Sequence, residues 1–289
     1  MPVISDPQEP AQGRRPGPWW LALLVFLVSL GATILAWTTA QQNQLQRDQG
    51  RLSRFVGRTQ VNLQNRLGRY EDIARGAQGF FAGEASRLST EQWRDYVGRL
   101  QIQERHPGLT SLAFISRVKP SELEDFLAAR PQLSGRYHRP ISDPLPLRDS
   151  GQDGDHLLIE LCEPGERAAV GLGLDIGTSH TQRMAAERAL DTGQPVLSGL
   201  LYFTRPEGRQ DAVALFVPVL EGNPAGPAAR RKALKGWVSA GILIKPLVEE
   251  ILRGEDQGVA FEVVDAYAAQ GPQWLFASRT GPREPNRIR

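Results

Sequence analysis

Residues 169–199 read AVGLGLDIGTSHTQRMAAERALDTGQPVLSG. Residues 169–175 are apolar up to Asp175 and read as a short buried strand. Thr178 or Ser179 supplies a hydroxyl N-cap for a helix over about 179–191, and Gly193 stands where a left-handed residue closes such a helix. Residues 195–204 then return to a β-rich pattern. A strand, a capped helix and a strand in immediate succession give the chain its α+β character.

The neighbouring sequence extends this pattern. Upstream, residues 109–118, LTSLAFISRV, alternate and are β-rich, which predicts a first strand. Further strands are expected over 156–163, 212–220, 237–244, 259–264 and 274–277. A helix over 90–105 starts at the cap Ser89-Thr90-Glu91-Gln92, carries Trp93, Tyr96, Val97 and Leu100 at helical spacing, and ends at His106-Pro107-Gly108. Pro120 opens a helix through Leu123, Phe126 and Leu127, and a short helix is expected over 246–252. Residues 131–156 are rich in Pro, Gly, Ser and Asp and read as an irregular connection. The basic segment 222–235, GNPAGPAARRKALK, reads as a solvated hairpin tip, because no aromatic residues are interleaved to stack nucleic-acid bases.

Toward the N-terminus the composition changes. Residues 1–17, rich in Pro, Gly and Gln, read as a disordered tail. From Trp19 to Trp37, WWLALLVFLVSLGATILAW carries no charge, and as a helix it measures about 28 Å, the thickness of a hydrocarbon core. Trp19, Trp20 and Trp37 stand at its ends, where indole rings favour the lipid–water boundary. A cleaved signal peptide is the competing reading, with Arg14 and Arg15 as its basic region and Thr38-Thr39-Ala40 as its cleavage site. The run exceeds the usual length of a signal sequence, which favours an uncleaved anchor over 18–38. Arg14 and Arg15 place the N-terminus in the cytoplasm, against the weaker pull of Arg47, Arg51, Arg54 and Arg58, so the residues after Trp37 are expected outside it.

Between 39 and 82, Leu52, Val56, Thr59, Leu63, Leu67, Tyr70, Ala74, Ala77 and Phe81 recur every three or four residues in a proline-free stretch. This predicts one long stalk helix, and two readings of its apolar face stand: a dimerising coiled coil, or a helix packing on its own domain. Gly57, Gly68, Gly76 and Gly79 weaken its continuity.

Composition removes several classes of function. Lys+Arg 34 against Asp+Glu 32 leaves a net charge of +2, too little for a nucleic-acid-attracting field. The single cysteine, Cys162, forms no internal disulfide, CxxC pair or zinc cluster. His106, His138, His156 and His180 stand in no metal-ligand spacing, and no GxSxG, Walker or kinase signature occurs. The glycines of 171–173 lack the third glycine of a dinucleotide fingerprint. No cofactor, metal or catalytic residue is therefore assigned. The rival class, an anchored extracytoplasmic hydrolase, requires a nucleophile paired with a base. One carboxylate stands out. Asp175, at the end of an apolar run and just before a capped helix, reads either as an acceptor for an N–H-rich ligand at the mouth of an apolar cavity or as an acid satisfied by backbone N–H groups at the helix start.

These blocks, in order, resemble the CHASE extracellular sensory domains, found in plant cytokinin receptors and bacterial signalling proteins. The similarity is carried by RGAQGFFA at 75–82, Trp93 and Tyr96 in WRDYVGRL, HPGL at 106–109 leading into LAFISRV, Glu163-Pro164, GLDI at 173–176, AAERALDTG running into QPVLSG at 194–199, and ALFVPV at 214–219 followed by Gly236-Trp237-Val238. It covers about residues 70–255. The resemblance implies a long N-terminal helix and two PAS-like antiparallel-sheet subdomains, one membrane-distal and ligand-binding over 83–220, the other membrane-proximal over 221–289 and lacking its closing strands. It implies a small-ligand sensor with ligand held by Asp175 and by main-chain groups of Leu197, the ligand being a flat, nitrogen-rich heterocycle. It further implies a homodimer formed through the stalk, an inner-membrane location with the sensor outside the cytoplasm, and an output module such as a histidine kinase or a diguanylate cyclase absent from these 289 residues.

Overall fold

A computed structural model describes the backbone over residues 19–82, 89–133, 136, 154–165, 171–205, 208–253, 262–265 and 273–277. The expected tail over 1–17 lies outside the described residues, as does most of the irregular connection within 131–156. The chain forms two compact units, residues 1–57 and 58–289. Helix α1, Trp19–Ala82, begins in the first and ends in the second. The four glycines expected to weaken it are accommodated: Gly57, Gly68 and Gly79 face open space, and only Gly76 abuts a side chain, the hydroxyl of Tyr96.

In the first unit, the apolar run at the start of α1 is exposed on every side: Trp19, Trp20, Leu23, Leu24, Val25, Phe26, Leu27, Val28, Ile34, Leu35 and Trp37 all face outward. No helix among the described residues is long and apolar enough to cross a membrane.

The second unit is built on a six-stranded antiparallel sheet. Its strands are β1 (Leu109–Val118), β2 (His156–Glu163), β3 (Val196–Leu197), β4 (Leu201–Arg205), β5 (Gly208–Leu220) and β6 (Leu234–Leu243). The spatial order is β2-β1-β6-β5-β3, with β4 also pairing β5, an arrangement consistent with a PAS-like sheet. Helices α2 (Thr90–Leu100), α3 (Ile102–Arg105), α4 (Leu123–Ala128), α5 (His180–Thr192), α6 (Pro227–Ala233) and α7 (Ile244–Ile251) surround it. A separate two-stranded antiparallel pair, β7 (Glu262–Asp265) and β8 (Gln273–Ala277), completes the described elements.

Side-chain alternation along β5 and β6 divides the core in two. Leu215, Val217 and Val219 with Val238, Ala240 and Ile242 face Tyr70, Ala74, Ala77 and Phe81 of α1 and Trp93 and Val97 of α2. Ala214 and Phe216 with Trp237 face Ala185, Ala186, Ala189 and Leu190 of α5. The first layer is aromatic: Phe81 stacks on Phe114 and Phe80 on Tyr96, with Trp93 against both Phe80 and Phe81. From Leu63 onward the apolar face of α1 thus packs on its own domain. Of the two readings of the stalk, this portion follows the second.

Several expectations need correction. In the described part of the strand expected over 169–175, residues 171–173 are a turn, and the backbone of Asp175 meets β2 through an isolated bridge to Leu158. Gly173, at φ +78, turns the chain out of the extended region, and a Cβ there would collide with the backbone of Arg136. The helix over 90–105 is two, because Gln101 takes a left-handed conformation, φ 49, that closes α2. The strand over 195–204 divides into β3 and β4, where Ser198 turns aside so that its hydroxyl accepts from Ala214 N at 2.9 Å. The basic segment 222–235 is no bare hairpin tip, since α6 forms within it. β6, which follows the boundary expected at 220, pairs both β1 and β5 within the one sheet.

Candidate ligand-binding site

Asp175 is fixed by three surrounding segments. The turn before it carries the chain back along the outer edge of β2, so that Ile159 N donates to Leu174 O at 3.0 Å and Gly173 N to Ile159 O at 2.9 Å. After it, Ile176–Thr178 form a single 3₁₀ turn that Asp175 caps. Its Oδ1 accepts from Leu157 N and from Gly177 N, each at 3.0 Å. Its Oδ2 lies 2.7 Å from Nδ1 of His156, the first residue of β2. The Thr178 hydroxyl donates to Asp175 O at 2.9 Å. Asp175 is 0% exposed, whereas the side chain of His156 is 14% exposed.

Arg183 braces this arrangement. It lies in the first turn of α5, where the helix dipole disfavours a cation unless a specific partner compensates. The compensation comes from two carbonyls: Nε donates to Gly177 O and Nη2 to Asp155 O, both at 2.6 Å. Asp155 also forms an ion pair with Arg117, which lies 3.8 Å from Glu187. One guanidinium therefore ties the 3₁₀ turn to the start of β2. The helix itself is capped by the Ser179 hydroxyl, which accepts from Gln182 N at 3.3 Å.

This geometry bears out the backbone-satisfied reading of Asp175 and adds a side-chain partner that residue spacing does not reveal. His156 was grouped above with the scattered histidines, because its pairing with Asp175 joins the start of β2 to the cap of a 3₁₀ turn that is distant in sequence. Arg183 had a legible signal, a lone arginine against the dipole just inside a helix start. Leu197 lies elsewhere. It is in β3, opposite Leu215 of β5, and is 40% exposed. The strand order puts Asp175, outside β2, and Leu197, in β3, at opposite ends of the sheet, joined in sequence by α5. The described cavity of the second unit borders neither residue.

A His–Asp pair of this kind is the base half of a hydrolytic triad. The hydroxyls beside it have other partners, Thr178 at Asp175 O and Ser179 at Gln182 N. Cys162 is buried, and desolvation, with the charge of Glu163, pushes its thiol up to about 12, far from a reactive thiolate. Among the described residues no group of three His, Cys, Asp or Glu side chains can hold a metal.

A family model, the CHASE domain, matches residues 86–276. No curated protein matches the chain.

Proposed function

The chain belongs to the CHASE domain family, extracellular sensory domains of signalling receptors, and from that premise we propose that it is the small-ligand sensor of a membrane-anchored receptor whose output is a histidine kinase or a diguanylate cyclase. The observation that carries the ligand reading is the buried Asp175 carboxylate. Its Oδ1 is fully used by two backbone donors, while Oδ2 meets one described donor, His156, and has a second lone pair for a ligand N–H. A flat, nitrogen-rich heterocycle fits such an acceptor; Leu197, at the other end of the 13-residue α5, is too far away to share that ligand. A neutral ligand without N–H donors would leave the carboxylate no better partnered than water does.

In this reading the uncharged run at 19–37 anchors the chain in the inner membrane in a single pass, with the N-terminus cytoplasmic. Its support is the all-round exposure of the described apolar side chains between Trp19 and Trp37, which water disfavours and lipid accepts. Two copies pair through the part of α1 before Leu63, where Val56 and Val61 are each 53% exposed. The signal is the ligand-dependent bias between two arrangements of that pair. β7 and β8 begin a second, membrane-proximal PAS-like subdomain. The hydrolase alternative is less well supported, since the nearby hydroxyls are engaged. A dimeric adaptor that senses nothing is the other alternative, and the binding experiment addresses it.

The test is calorimetric titration of adenine, as the probe heterocycle, into the full chain in lipid nanodiscs. Asp175→Asn keeps the Oδ1 acceptor and the fold, and is expected to weaken binding about tenfold or more, the loss of one buried charge-assisted hydrogen bond. Equal affinity in the variant overturns the role of Asp175. Absence of any adenine binding to the wild-type chain overturns the heterocycle reading.

A further inference from the structure

A cavity of about 330 Å³ opens between the C-terminal part of α1, the C-terminal end of α5 and the loop joining β5 to α6. We propose that it binds a small dicarboxylate. Its polar lining is contributed by Arg75 and Gln78 of α1, Thr192 and Gln194 at the end of α5, Asn223 of the loop and Arg230 of α6. That volume lies at the lower end of small-molecule sites, and the lining is side-chain amides, a hydroxyl and two guanidiniums.

The charges favour an anion. A guanidinium has five N–H donors. Arg230 uses Nη1 on a main-chain carbonyl, Asp191 O at 2.6 Å, and meets no carboxylate among the described residues. The nearest candidate, the Asp191 carboxylate, is occupied by Arg231, whose Nη2 reaches both of its oxygens at 2.7 and 2.9 Å. Arg75 spends Nε on Glu71 at 2.8 Å and Nη2 on Gln194 at 3.2 Å, keeping further donors. Gln78 is held in place by its donation to Pro218 O at 2.7 Å. Two guanidiniums with remaining N–H donors, from different helices and lining one small polar cavity, match a ligand with two carboxylates. The helix terminus is not an obstacle, because Arg230 already covers the carbonyl end of α5.

Such a ligand would bridge α1 to α6 and the end of α5, the opposite end from Asp175. The inference is independent of the heterocycle reading: the two sites share no residue, and Asp175→Asn is expected to leave dicarboxylate binding unchanged.

The test is calorimetric titration of succinate into the full chain in lipid nanodiscs, with neutral succinamide as the control. Saturable succinate binding, at least tenfold tighter than succinamide and weakened at least tenfold by Arg230→Gln and by Arg75→Gln, supports the site. Arg230 also covers a helix end, so Asn223→Ala, on the loop, serves as the variant that spares the fold, with a several-fold loss expected. Equal binding of succinate and succinamide, no succinate binding, or wild-type affinity in Arg230→Gln or Asn223→Ala overturns the proposal. Inorganic phosphate binding as tightly as succinate, with the same arginine dependence, overturns the dicarboxylate class in favour of phosphate.

Discussion

The two ends of α5 solve the same problem in opposite ways. At the N-terminal end the groups around Asp175 have internal partners: Ser179 caps Gln182, Asp175 takes two backbone N–H groups and His156, and Arg183 spans two carbonyls. At the C-terminal end Gly193, at φ +68, closes the helix through Gly193 N to Ala189 O at 2.8 Å, and Arg230 covers one carbonyl, but the side chains around it border a cavity. A ligand at the first end must enter a network already closed and share or displace His156. One at the second end replaces only water. Binding at Asp175 therefore entails rearrangement at the start of β2, whereas the C-terminal site is pre-formed.

Four substitutions test this contrast, and the largest effect belongs to the closed end. Asp175→Ala leaves Leu157 N–H and Gly177 N–H without an acceptor in a fully buried position, at a cost of about 3 kcal/mol or more. Urea unfolding of the second unit should show it, and a loss under about 1 kcal/mol would mean that water reaches these groups and the end is not closed. Midway along the helix, Trp237→Phe removes the indole N–H that donates to Ala186 O at 2.8 Å and opens a small void, expected to cost about 2 kcal/mol by the same measurement. An unchanged midpoint there would show that α5 is held by its ends alone. Gly193→Ala forces a Cβ into the left-handed region and to within 2.8 Å of Arg230 Nε, for about 1 to 2 kcal/mol. Should it prove costlier than Asp175→Ala, the open end is the more rigid one and the contrast reverses. Ser179→Ala loses one cap hydrogen bond and about 1 kcal/mol, and amide exchange at Gln182 should speed up accordingly.

A reference group away from α5 has a pH signature. Burial, followed by the charges of Arg66, Arg69 and Arg105, lowers the pKa of His106 below 6.5. The folded state thus favours neutral His106, so this contribution is fully present above the unfolded pKa and is lost as pH falls through the folded one. Stability should decline on acidification below about pH 6.5, and His106→Gln should flatten that decline. An identical acid profile in the variant would assign the decline to other groups.

Much of the second unit was legible because its signals are local. The Ser89 and Ser179 caps, Gly193 and the alternation of 109–118 each act within one element, and each appears where expected. Two misreadings came from single backbone positions: Gly173 and Gln101 have positive φ that the flanking apolar pattern does not announce. The place of β6 between β1 and β5 was hidden for a different reason, because strand order depends on long-range pairing and β6 follows β5 closely enough to read as the start of a new subdomain. At the candidate site Asp175 was legible from its position before a capped helix. His156 was not, since nothing within reach in sequence connects it to Asp175.

Trp237 is a buried side chain of the sheet that donates a hydrogen bond to α5, and its acceptor, Ala186, is the midpoint of His180–Thr192. The side chains of α5 that share the cluster of Trp237, Ala185, Ala186, Ala189 and Leu190, are apolar and carry no direction. The one directional bond at the middle of the helix therefore fixes how α5 is turned about its own axis on the sheet, which apolar contact alone does not fix.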